Sequence, residues 1–224
     1  MLVLAVDTSG KPGSIALARG HADGACDVME VVPLAGGTFS AQLVPQIASL
    51  LAKHGFTKKD IGAFAVASGP GSFTGLRVGL AAIKALAEVL AKPIAAVSLL
   101  EAAAVAGRIE GKVVAALDAG RGEIYVGEYD VAGDSAALTG ERLLTRSEFA
   151  SEMKAQTVVT PDSQVAEMAA AAGMKVATIA PISAAAIACL GWRKLRAGSV
   201  VPPEQLDANY IRRSDAEIFA KSKP

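Results

Sequence analysis

A chain of 224 residues is long enough for one large domain or two small ones sharing a core. Hydrophobic residues make up 52% but aromatics only 4%, so the interior is built from Ala, Val, Leu and Ile, which suits helices packed on a mainly parallel sheet. The 22 basic residues balance 22 acidic ones, which argues against a chain that grips nucleic acid by itself, because phosphate neutralisation draws on a basic excess.

In chain order, "LVLAV" (residues 2–6) reads as a first strand and not as a secretory signal, since no positive segment precedes it and Asp7 follows at once. "SIALA" (14–18) reads as a second strand after a Gly/Pro turn, and residues 26–32 as a third. "FSAQLVPQIASLLAKHG" places Leu43, Val44, Ile47, Leu50 and Leu51 on one side and Gln42, Gln46, Ser49 and Lys53 on the other, an amphipathic helix ended by Gly55. Pro45 is tolerable there only in or near the first turn.

A strand around residues 63–67 leads into "SGPGSFTGLRVG" (68–79) and a helix to about residue 91. "PIAAV" is a further strand, and "SLLE" (98–101) has the capping-box spacing that opens the next helix. From Lys112 the chain runs "VVAALDAGRGEIYVGEYD", then "TRSE" (145–148) as a second capping box, "TVVT" as a short strand, and an Ala-rich helix over 162–172. The longest uncharged run, 176–192, contains Pro181 and falls short of the roughly 20 residues of a spanning helix. It reads as a strand end, a turn and a buried helix that continues to residue 197, followed by an extended tail from Gly198 through "NYIRRSD".

"LVLAVDTSGKPGSIALA" and "VVAALDAGRGEIYVGEY" share one plan: apolar strand, an acid at its end (Asp7, Asp118), a Gly-containing turn, a second strand. That suggests two related halves, 1–100 and 101–224, with the tail packing back on the first. Two unrelated hairpins could look the same.

The glycine loop raises a choice between holding a phosphate and letting two elements approach closely. It has no GK[ST], and Gly69, Gly71 and Gly75 are spaced one residue too wide for G-x-G-x-x-G. What remains is a weaker signal: a strand, a Gly-Pro-Gly turn and a helix N-terminus with Ser72 as its cap, which could attract an anion through free N–H groups. Gly79 stands inside the helix, where Gly costs about 1 kcal/mol against Ala, so a close neighbour must offset it. Periodicity does not say whether that neighbour is in this chain or another.

The two histidines, His21 and His54, form no ligand pair, and Cys26 and Cys189 lie far apart with no CxxC, as two reduced, buried thiols. Asp7 and Asp118 read either as turn-capping acids or, with Thr8 and Ser9, as the magnesium- and phosphate-positioning groups of an actin-like ATPase.

Together "LAVDTS", "ASGPGSFTGLRVGLAAIKALA", "PIAAVSLLEA", "LDAGRGEIYVGEY" and "NYIR" resemble the B subunit of the bacterial tRNA threonylcarbamoyladenosine biosynthesis proteins, almost end to end. The resemblance implies an α/β fold of the actin-like ATPase/sugar-kinase, ribonuclease H-like type, with two related mixed-sheet halves and flanking helices. It implies a cytoplasmic, non-catalytic scaffold needed to place threonylcarbamoyl on the adenosine next to the anticodon of tRNAs reading codons that begin with A. Its implied partners are a catalytic transferase paralogue and an ATPase subunit, with tRNA reached only through the complex and a homodimer when alone. It implies no tightly bound cofactor and no metal; ATP or ADP and Mg would belong to the complex.

In that family the pairing surface uses the first two long helices, here about 40–54 and 72–91, which points to Leu43, Ile47, Leu50, Ser72, Phe73, Gly75, Leu76, Gly79 and Ile83. On this reading the two glycines permit a close helix–helix crossing, partly within the fold and partly between subunits. Where the catalytic paralogue has paired histidines, this chain reads "GTFSAQLVP"; Phe39–Ser40 departs even from B subunits that keep one His. Two rival classes are a small-molecule kinase or ATPase of the same fold, using Asp7, Thr8 and Asp118, and a zinc peptidase.

Overall fold

The computed structural model describes residues 1–212; the end of the predicted tail lies outside the described residues. The first sheet is built from β1 (Leu2–Asp7), β2 (Gly13–Gly20), β3 (Cys26–Leu34), β4 (Ile61–Gly69) and β5 (Ile94–Ser98) in the order β3-β2-β1-β4-β5. The second is built from β6 (Gly111–Gly120), β7 (Glu123–Ala132), β8 (Ser135–Thr145), β9 (Thr157–Thr160) and β10 (Lys175–Thr178) in the order β10-β9-β6-β7-β8. Each sheet has the same plan: two antiparallel hairpin pairings on one side of the central strand and two parallel pairings on the other. The strand plan is therefore duplicated, with β1 corresponding to β6 and β2 to β7.

The helices repeat too. α1 (Phe39–Lys53) and α2 (Phe73–Leu90) follow β3 and β4, as α4 (Arg146–Glu152) and α5 (Ser163–Ala171) follow β8 and β9. The third helix of each set behaves differently from a simple halving. α3 (Leu99–Ala106) packs on β6 and β7, whereas α6 (Ala184–Arg196) packs on β1, β2 and β4. One compact unit thus holds Met1–Ser98 with Ile182–Ala208; the other holds Leu99–Pro181 with the described residues from Asn209 on. The division at 100/101 misplaces α6: a whole helix, and not only a tail, belongs with the first unit.

The core of the first unit is made by Leu4, Ile15, Leu17, Leu34, Phe64 and Ile94 of the strands against Leu43, Leu50, Leu76 and Ile83 of α1 and α2. β1 is buried at every residue, which its solid apolar run requires. Pro45 stands in the second turn of α1, deeper than expected. It faces solvent, and its cost of about 3 kcal/mol is outweighed by Leu43, Ile47, Leu50 and Leu51, each contributing about 1.5–3 kcal/mol on burial. In the second unit Val114, Ile124, Phe149, Val158 and Val165 form a separate core. α4 opens with the complete capping box expected at Thr145 and Glu148. Among the described residues no helix is long and apolar enough to cross a membrane.

Candidate functional site: the end of the first strand and the two outer helices

The glycine loop meets the end of β1, and its role is read from what each glycine touches. The N–H of Ser72 donates to the carbonyl of Ser9 at 2.7 Å, and Thr8 Oγ1 donates to the carbonyl of Gly75 at 2.7 Å. Ser72 Oγ in turn accepts from the Gly75 N–H at 3.3 Å, the N-cap bond of α2. A methyl group on Gly71 would stand 2.6 Å from the Ser9 carbonyl oxygen; one on Gly75 would collide with the Thr8 carbonyl, and one on Gly79 with Thr8 Oγ1. The neighbour that offsets the helical glycines is therefore in this chain. It is the end of a strand and not a second helix, so the predicted helix–helix crossing at Gly75 and Gly79 is replaced by α2 seated on Thr8.

The nine residues predicted for a partner surface divide accordingly. Leu43, Ile47, Leu50, Gly75, Leu76, Gly79 and Ile83 are buried in the chain's own core, because the apolar stripe of each helix turns inward onto the sheet. Ser72 and Phe73 are exposed. What the two helices show outward is a different set: Ala41, Val44, Ala48 and Ala52 on α1, and Phe73, Arg77, Ala81, Ala85 and Val89 on α2. Val44 is 55% and Val89 77% exposed, unusual for Val on helices that bury a full stripe elsewhere. The Arg77 guanidinium lies 3.7 Å over the Phe73 ring. The outward stripe was legible from the sequence as the small apolar positions left over once the larger stripe is assigned to the core.

The four residues predicted around a nucleotide do not come together in one unit. Asp7, Thr8 and Ser9 belong to the first, Asp118 to the second. Each acid caps its own turn: Asp7 Oδ1 accepts the Ser9 N–H at 2.9 Å and the Ser9 hydroxyl at 2.5 Å, and Asp118 Oδ1 accepts the Gly120 N–H at 3.2 Å. Thr8 and Ser9 are buried and committed to α2 and Asp7. Asp118 is exposed, and its N–H donates to Asp162 Oδ2 at 2.8 Å, a contact between the ends of β6 and β9 that no motif announced.

Burial pushes the Asp7 carboxyl up from its ordinary value of 3.8, and the bonds from Ser9 oppose that shift without cancelling it. A carboxyl raised in the folded state destabilises the fold as it ionises; the cost is absent below the ordinary value and grows as pH rises through the folded one. Asp7→Asn keeps an acceptor for both Ser9 bonds and removes that cost. Thermal unfolding at pH 7 should therefore show a higher Tm for the variant, with the advantage shrinking towards pH 4. An equal or lower Tm at pH 7 contradicts this.

His21 Nε2 lies 2.9 Å from Asp27 Oδ2, and His54 Nε2 lies 2.8 Å from Glu30 Oε2, beside Lys53. Among the described residues no group of three or more His, Cys, Asp or Glu is placed to hold a metal ion. Phe39, at the position of interest for histidines, is buried with its ring edge against Gly13.

A family model described as tRNA N6-adenosine threonylcarbamoyltransferase (TsaD) matches residues 31–198. The chain belongs to this family. Within it the chain is of the TsaB type. The tRNA threonylcarbamoyladenosine biosynthesis protein TsaB of Bacillus subtilis (strain 168) is 38% identical over 130 residues, covering 58% of this chain and 55% of that protein. The protein of the same description from Escherichia coli (strain K12) is 36% identical over 133 residues, with 58% and 55% covered. The TsaB-type chain thus spans about half the length of the curated relatives it matches. A solved structure, YeaZ from Pseudomonas aeruginosa, superposes with a TM-score of 0.72 at 25% identity, over 93% of this chain and 99% of that one. The two five-stranded mixed sheets with flanking helices are the actin-like, ribonuclease H-like fold that the sequence implied.

Proposed function

We propose that this chain is a non-catalytic scaffold subunit in threonylcarbamoyladenosine formation on tRNA, pairing with a catalytic transferase paralogue through the outward faces of α1 and α2. The observation that carries the reading is the exposed Ala/Val/Phe stripe on two adjacent helices of a TsaB-type chain. An apolar stripe of this kind favours a protein partner over water. The reading keeps the predicted helices and replaces the predicted residues: Val44, Phe73, Ala81 and Val89 meet the partner, while Leu43, Gly75 and Gly79 hold the helices in place.

Thr8 and Ser9 spend their hydroxyls inside the fold, which favours a supporting role for the β1 end over phosphate chemistry. The balance of 22 basic and 22 acidic residues favours RNA being held mainly by the rest of the assembly. ATP or ADP with Mg, and an ATPase subunit, belong to that assembly in the cytoplasm; alone, the same stripe pairs two copies of this chain.

The test is co-purification with the catalytic paralogue, followed by threonylcarbamoyl transfer to tRNA with and without this chain. Transfer should require the chain, and the chain alone should transfer nothing. Full transfer in its absence, or transfer by the chain alone, overturns the reading.

A further inference from the structure

Cys26 opens β3, the edge strand of the first sheet, and Cys189 lies midway along α6. They are separated by 163 positions in the sequence, yet their Sγ atoms lie 2.6 Å apart, and Cys189 Sγ is 3.6 Å from the Cys26 carbonyl oxygen. Both are free thiols, and both residues are half-buried. Among the described residues the surroundings do not offer the three or four ligands that a zinc ion takes. Two thiols in contact, one on the edge strand and one on α6, suit two-electron sulfur chemistry.

We propose that Cys26 and Cys189 are a reversible modification site: a disulfide between them, made by exchange with a low-molecular-weight disulfide, staples α6 to the edge of the first sheet. One protein thiolate attacks a sulfur of the small disulfide and displaces the first small thiolate, leaving a mixed disulfide. The second protein thiol loses its proton to solvent and attacks the protein sulfur of that mixed disulfide, releasing a second small thiol. Two cysteines are oxidised, and one disulfide is reduced to two thiols.

The two thiols share one proton environment. The hydrogen bond with Cys189, and after it burial, push the Cys26 thiol far above its ordinary range. Whichever thiol of the pair loses its proton first attacks, and the other resolves. The staple would close a loop running from β3 to α6, through all of the second sheet. Cross-links over such loops restrict the unfolded chain most.

The experiment exposes the full chain to oxidised glutathione and reads its intact mass and free thiols without reductant. The expected product is a monomer lighter by two hydrogens, with both cysteines closed to alkylation, a Tm higher by about 5–15 °C, and both changes undone by dithiothreitol. Cys26→Ser and Cys189→Ser should each trap one glutathione on the cysteine that remains. Two thiols still open to alkylation after exposure, glutathione on both cysteines of the native chain, or disulfide-linked dimers would each overturn the proposal. A single-Ser variant whose remaining cysteine takes no glutathione overturns the exchange route.

Discussion

Gly75→Val is expected to lower the melting temperature of the chain by about 6–12 °C, corresponding to about 3 kcal/mol at roughly 2–4 °C per kcal/mol for a chain of this size. The magnitude sits at the upper end of overpacking costs because the new Cβ presses on the carbonyl of Thr8, a backbone atom in a fully buried strand end, and not on a side chain that can rotate away. Relief requires α2 to withdraw, which stretches the Thr8 hydroxyl bond to Gly75 and the Ser72 bond to Ser9. It also lifts Leu76, Leu80 and Ile83 from the core. Ala81→Val, on the exposed side of the same helix, should shift Tm by no more than about 2 °C. A Gly75→Val chain that melts with the native one in a thermal scan would show that the strand end yields freely, and the packing role of the loop would be lost.

The same geometry changes what Gly79→Leu reports. Read from the sequence, that substitution could strike a subunit interface; seated against Thr8 Oγ1, it strikes the chain's own fold. Local hydrogen bonds show what the packing uses. The Ser72 N–H points at Ser9, and the Gly75 N–H at Ser72 Oγ.

Where the sequence was legible, one period dominated. β1, β4 and β5 are solid apolar runs and α1 and α2 bury every third or fourth residue, so their existence followed from pattern alone. β8 gave no such signal. It is a long edge strand, exposed along most of its length, whose "SAALTGERLLT" neither alternates cleanly nor forms an apolar run. Its place is set by pairing with β7, a non-local fact. The same limit hid the assignment of α6. Its apolar face fits either sheet, and only tertiary packing chooses the first. Cys26 and Cys189 were invisible as a pair for this reason: nothing in a separation of 163 positions marks two side chains as neighbours. The candidate partner surface was half legible. The helices themselves were legible, but a hydrophobic stripe read from periodicity is the one a helix buries first. The outward face is then what remains, here the smaller Ala and Val positions.

That distinction gives the second large effect. Val44→Asp and Ala81→Asp, each on an outward stripe, are expected to weaken association with the catalytic paralogue at least ~30-fold, because an unpaired charge enclosed at an interface costs about 2 kcal/mol or more. Neither residue contributes to the core, so Tm should stay within about 2 °C of the native chain. The contrast with Gly75→Val is diagnostic. Inward positions should lose stability and take binding with it, while outward positions should lose binding alone. Titration calorimetry against the purified paralogue, with thermal scans of each variant, separates the two. If both Asp variants bind as the native chain does, the outward faces of α1 and α2 do not meet the partner, and another surface of this chain makes the contact. If they bind weakly but also melt early, the stripe is structural, and the leftover Ala and Val positions belong to packing that their exposure conceals.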